Sequence, residues 1–127
     1  MDIKKHITAL GFVPKDGTNG IYHKIYVDYA IEIDFEKQSI NYGGGITADS
    51  KTTQNFSDAE NFVVLECVDR LLLQGYKPQY IILEKTWPSG HGTSGRLDIC
   101  VNREDGTPYM LIECKTCGKE YNKELTK

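Results

Sequence analysis

The spacing of apolar and polar positions divides the chain into a strand-rich first part and a second part that opens on a helix. Residues 2–10 predict a short helix stopped by Gly11. Residues 21–35, IYHKIYVDYAIEIDF, are rich in β-branched and aromatic side chains. In their second half Ile31, Ile33 and Phe35 share one face, while Glu32, Asp34 and the following Glu36 take the other. A polar EKQ turn then leads into SINY (39–42), which completes an expected antiparallel hairpin. Gly43 to Asn55 is a Gly, Thr, Ser and Asp stretch that reads as loop.

From Ser57 the period changes. Ser57-Asp58-Ala59-Glu60 fits a capping box, and a helical pattern runs to Leu73 before Gly75 stops it. Val64, Val68, Leu71 and Leu72, with Cys67 at the margin, fall on one face of that helix. YIILEK (80–85), RLDICVN (96–102) and YMLIECK (109–115) read as three strands, separated by the loop TWPSGHGTSG and the turn EDGTP. GKEYNKELTK begins a further helix. The order from Ser57 is helix, strand, strand, strand, helix, within an α/β chain.

Composition narrows the function classes. The 127 residues suit one compact domain. With 15 Lys plus Arg against 18 Asp plus Glu the net charge is −3, which argues against a protein that merely coats phosphate. It leaves room for an enzyme whose carboxylates hold cations that meet phosphate. No apolar run reaches the roughly 18 residues needed to span a bilayer, and the first residues lack a secretory apolar stretch, so a cytoplasmic protein without a membrane partner is expected. Of the four cysteines, only Cys114 and Cys117 form a CxxC; with no second pair at zinc-finger spacing, Cys67, Cys100 and Cys114 read as small buried apolar residues.

The chemistry gathers on the last two strands. Asp98 lies between Leu97 and Ile99, where a carboxylate is costly unless it is paired or holds a metal. Glu113 and Lys115 follow Met110, Leu111 and Ile112, and strand alternation turns both to one face and Cys114 to the other. Two carboxylates that hold Mg²⁺ (Mn²⁺ as a substitute) and a lysine that orients water are what phosphodiester hydrolysis uses.

This arrangement, an aspartate in GRLDI and the sequence IECK on the next strand, resembles the PD-(D/E)xK nuclease superfamily. The run FSDAENFVVLECVDRLLLQGY, IILEK, GRLDICV, PYMLIECK is similar to the N-terminal nuclease domain of type I restriction enzyme R subunits and related restriction-modification proteins. The likeness covers about residues 56–120. It implies a restriction-endonuclease-like mixed central sheet flanked by helices, with residues 1–55 as an N-terminal helix and β-hairpin extension and residues 56–127 as the nuclease core. It also implies Mg²⁺-dependent cleavage of double-stranded DNA, with Asp98, Glu113 and Lys115 catalytic and Asp98 and Glu113 on the metal. Partners would be other domains or subunits of a restriction-modification complex. Many members take another ligand from the first helix. Glu60, about 20° from Leu71 on the helical wheel, suits that role better than Glu66, with the capping box as its structural alternative. Relatives continue through a second helix and a fourth core strand, so a chain that stops twelve residues after Lys115 is expected to be a truncated core.

Other readings stand beside these. Asp98, Glu113 and Lys115 could form a structural ion-pair network, or the fold could serve as a non-catalytic DNA-binding or assembly module. Glu84 ends the first strand, either near the site or, as its commoner reading, as an exposed strand-end glutamate; His91 could meet DNA or a metal, though a lone loop histidine usually does neither. Arg96, Lys119 and Lys123 are candidate phosphate contacts; the alternative is a surface arginine for Arg96 and, for the lysines, a solvated helix face with i,i+4 ion pairs.

Overall fold

The computed structural model describes residues 2–88 and 94–114. The protein is mixed α/β. Two four-stranded sheets, two α-helices and a short 3₁₀ turn make up the regular structure of the described residues.

Helix α1 (Ile3–Ala9) starts on Asp2, whose carboxylate accepts from the Lys5 N–H at 3.1 Å. The chain then enters an antiparallel sheet of β1 (Val13–Pro14), β2 (Ile21–Ile25), β3 (Ala30–Asp34) and β4 (Ser39–Asn41), in that order. The expected hairpin is therefore a four-stranded sheet, and residues 21–35 are two strands rather than one. The chain turns after Ile25, with Tyr26 N–H donating to the Tyr29 carbonyl at 2.7 Å. Val27 stands fully exposed at the tip. On β3 the expected alternation holds, with Ile31 and Ile33 fully buried.

The passage out of β4 winds around one side chain. Tyr29 Oη donates to the Tyr42 carbonyl and accepts from the N–H groups of Gly45 (3.2 Å) and Ile46 (3.0 Å). Gly43 has φ +79°, and a Cβ there would lie 2.6 Å from Tyr29 Oη, so the glycine is required.

Residues 43–55, expected as loop throughout, contain β5 (Thr47–Ala48). It joins a second sheet with β6 (Ile81–Pro88), β7 (Ser94–Asn102) and β8 (Pro108–Ile112). β5 runs parallel to β6, whereas β6, β7 and β8 form an antiparallel meander. Helix α2 (Glu60–Leu73) connects β5 to β6 and ends at Gln74, followed by Gly75 at φ +98°.

α2 lies between the two sheets. Towards the first, Asp69 accepts from Lys24 Nζ and Tyr26 Oη, both at 2.6 Å, and Phe62 meets His6 of α1 and Phe56 edge-on. Towards the second, Val64 lines one pocket with Glu84 of β6 and Asp98 of β7. The helix consequently buries Phe62, Leu65 and Asp69 as well as Val64, Val68 and Leu71, a wider surface than its single predicted stripe. One hydrophobic cluster unites residues of α1, both sheets and α2. Among the described residues no helix is long and apolar enough to cross a membrane.

Candidate active site

A pocket of about 300 Å³ opens where the start of α2 faces the middle of β6 and β7. Glu60, Glu84 and Asp98 line it, together with Asn61, Thr52 and Thr53.

Glu60 reaches it because the predicted capping box does not form. The Ser57 N–H, which that box would hand to Glu60, donates instead to Asn55 Oδ1 at 2.9 Å, and Ser57 Oγ donates to the same oxygen. Asp58 Oδ1 takes the Glu60 N–H at 2.9 Å, and the helix begins after Ala59 without a side-chain cap at that position. Glu66 points elsewhere. It pairs with Arg70 at 2.8 Å and approaches His6 of α1 at 3.8 Å, and it is half-buried.

Glu84 and Asp98 sit opposite each other on adjacent strands, between the pairs Leu83↔Ile99 and Lys85↔Leu97. Glu84 is not the exposed strand-end residue that the sequence suggests. It is 1% exposed and holds φ +51°, a left-handed backbone that a glutamate rarely adopts. Its carboxylate accepts from Thr52 Oγ1, Thr53 N–H (3.2 Å) and Thr53 Oγ1 (3.3 Å). The loop bearing these threonines is secured at both ends. Asp49 Oδ2 accepts from Thr86 N–H at 2.8 Å, and the Gln54 carbonyl accepts from Ile40 N–H at 3.0 Å. Asn61 Nδ2 donates to the carbonyls of Thr52 (3.2 Å) and Asn55 (3.0 Å), which fastens the loop to α2. A buried carboxylate, a threonine loop and a helix start thus form one hydrogen-bonded wall.

Asp98 Oδ2 accepts the Cys114 N–H at 2.7 Å, which ties β7 to the chain just past β8. Continuing the register of Ile99↔Ile112 puts Glu113 across from Asp98. Glu113 itself is exposed and is not among the residues that line the pocket. Arg96 is on β7 opposite Thr86, and its side chain lies outside the description, as do Lys115, Lys119, Lys123, His91, Cys117 and the expected terminal helix. The structure therefore brings Glu60 and Asp98 together, adds Glu84, and leaves Glu113 outside the pocket. Among the described residues no group of three or more His, Cys, Asp or Glu side chains is placed to hold a metal ion.

Next to Asp98 lies a small thiol cluster. The Cys114 S–H donates to Cys67, which brings the Cys67 thiol down to about 7 although burial works against this. The same bond and burial push Cys114 upward. Tyr42 is raised by burial first, and Cys114 and Cys67 add to the effect; its hydroxyl is buried with no hydrogen-bond partner among the described residues.

No protein-family model matches the chain, and no curated protein matches it.

Proposed function

We propose that this chain carries the nuclease centre of a Mg²⁺-dependent DNA endonuclease with a restriction-endonuclease-like fold, as part of a cytoplasmic restriction-modification protein. The observation that carries this reading is the shared pocket of Glu60 and Asp98, which a helix and a strand far apart in sequence deliver to one place. The order α2, β6, β7, β8, with an antiparallel meander after the helix, supports it, as does the register that sets Glu113 across from Asp98.

The donors have the chemistry that a hard divalent cation takes, carboxylate oxygens beside a pocket with room for water. Glu60, Asp98 and Glu113 would hold it, with Glu113 turning in from its exposed position. Bound there, Mg²⁺ supplies Lewis-acid polarisation of the phosphoryl group. The chain's own part is to bind and orient. Asp98 is held in place by the Cys114 N–H, Glu60 extends from the uncapped helix start, and Lys115 would position water and offset charge on phosphate. Carboxylates facing a DNA phosphate would otherwise repel it, so the reading requires the cation.

Thermal shift of the 127-residue chain with and without Mg²⁺ tests this. The wild type should be stabilised by about 2.7 kcal/mol at a hundredfold excess over the dissociation constant, and Asp98→Asn should lose that gain. An equal shift in both proteins, or none in the wild type, would sink the metal site. The exposed position of Glu113 and the lack of a three-carboxylate group among the described residues favour a second reading, a DNA-binding or assembly module that keeps the fold without cleaving. That module predicts DNA binding indifferent to Mg²⁺.

A further inference from the structure

Glu60 is the first residue of α2, and the helix starts there without a side-chain cap on Ala59. Helix ends fray, because their first N–H groups have no partner inside the helix. Asp58 Oδ1 secures one of these groups, the Glu60 N–H at 2.9 Å. The rest of the first turn is fastened by a loop. Asn61 Nδ2 donates to the carbonyls of Thr52 and Asn55, and the same loop delivers Thr52 Oγ1, the Thr53 N–H and Thr53 Oγ1 to the carboxylate of Glu84. The buried polar or charged residues among those described are Thr53, Asn61, Asp69 and Glu84, and all but Asp69 belong to this wall. Glu84 also stands opposite Asp98 on the neighbouring strand, where it keeps a left-handed backbone at φ +51°. Its main chain therefore meets the strand of Asp98, while its side chain meets the loop that fastens the helix start of Glu60.

We propose, resting on the Mg²⁺ reading of this pocket, that Glu84 is a positioning residue: through the Thr52–Thr53 loop and Asn61 it fixes the place at which Glu60 faces Asp98, and so sets the affinity of that pair for the cation. Glu84 acts through the loop rather than as a ligand, since both of its carboxylate oxygens are turned to the threonines. A ligand carried on a loose helix end must be ordered each time the ion binds, whereas a tethered one is in place beforehand. Groups that orient ligands in this way change metal affinity by about 10–100-fold when they are altered.

Isothermal titration calorimetry of the full chain with Mg²⁺ alone, beside a urea melt of each variant, tests this. Glu84→Gln keeps one acceptor oxygen and should bind Mg²⁺ about 10-fold more weakly than the wild type. Thr52→Val removes a hydroxyl and leaves every carboxylate in place, yet it should weaken binding in the same direction. Asn61→Ala should do so too, and adding Glu84→Gln to it should change little more, because the tether is already cut. If Glu84 works by its own charge, the two effects multiply and Thr52→Val binds like the wild type; either result overturns the proposal. So do unchanged affinities in variants whose urea midpoints have fallen, which is what a purely structural role gives. A wild type that takes up no Mg²⁺ overturns the metal reading and this proposal with it. A wild type that binds while Glu84→Gln and Thr52→Val match it overturns the proposal alone. Thr52 is exposed, so its valine variant keeps the test open even if Glu84→Gln fails to fold.

Discussion

At Glu84 a nearly inaccessible carboxylate receives three hydrogen bonds from two consecutive threonines and keeps a left-handed backbone to do so. Replacing it with alanine leaves the buried Thr53 N–H without that acceptor, and an unmade bond of this kind costs about 1–3 kcal/mol. Urea denaturation should register that loss for Glu84→Ala and a smaller one for Glu84→Gln, which keeps an acceptor oxygen. Equal stability of Glu84→Ala and wild type would show that the threonine loop stands without it. Cys67 offers a pH-dependent test. Because its thiol is lowered to about 7, the thiolate population, and with it the rate of iodoacetamide labelling, should climb through neutral pH rather than near pH 9. Cys114→Ala should return that rise to higher pH, since the donated hydrogen bond is gone. Asp98 was legible in the sequence because a carboxylate between Leu97 and Ile99 needs a reason to be there. Glu84, after Ile81, Ile82 and Leu83, carried the same signal. What the sequence could not reveal is its partners, which come from a loop some thirty positions upstream.

Among the elements, α2 governs the architecture. Its predicted apolar stripe is present, yet a helix with sheets on two sides must also bury polar groups, and Asp69 is the clearest case. With its side chain 4% exposed it joins Lys24 of β2 and Tyr26 of the turn after it to the helix. Asp69→Ala removes the carboxylate from a lysine that is itself only 15% exposed, which should cost about 3 kcal/mol in a thermal melt. Asp69→Asn, which still accepts from Tyr26, should cost less; a neutral alanine variant would make the ion pair incidental. Nothing in the residues around Asp69 announces this, because the lysine and tyrosine that match it lie 43 to 45 positions earlier. The capping box failed for a similar reason: Asn55, outside the four-residue motif, took the Ser57 N–H first. The two-residue β5 was illegible because Thr47-Ala48 has too few positions to show an alternation and is a strand only through its pairing with β6.

At the scale of the whole molecule, the single core that reaches from Ile7 to Cys114 implies one cooperative melting transition rather than separate ones for residues 1–55 and the remainder. The three strands of the meander and the helix before them were readable because each is long enough to carry its own period. Their placement against the first sheet was not, since it depends on Lys24, Asp69 and the aromatic edge contacts of Tyr22, Phe35, Phe56 and Phe62. The parallel pairing of β5 with β6 also has a bearing on time. Thr47 meets Ile82 only after the whole of α2 has crossed between them, so that contact closes a long loop for the return of two paired residues. Such a contact is expected to form after the folding barrier has been crossed. Asp49→Ala, which removes the acceptor for Thr86 beside this pair, should hasten unfolding and leave the folding limb of a chevron plot almost unmoved. A slowed folding limb would instead place the crossing of α2 at the start of folding, with the β5–β6 strand pair in the nucleus.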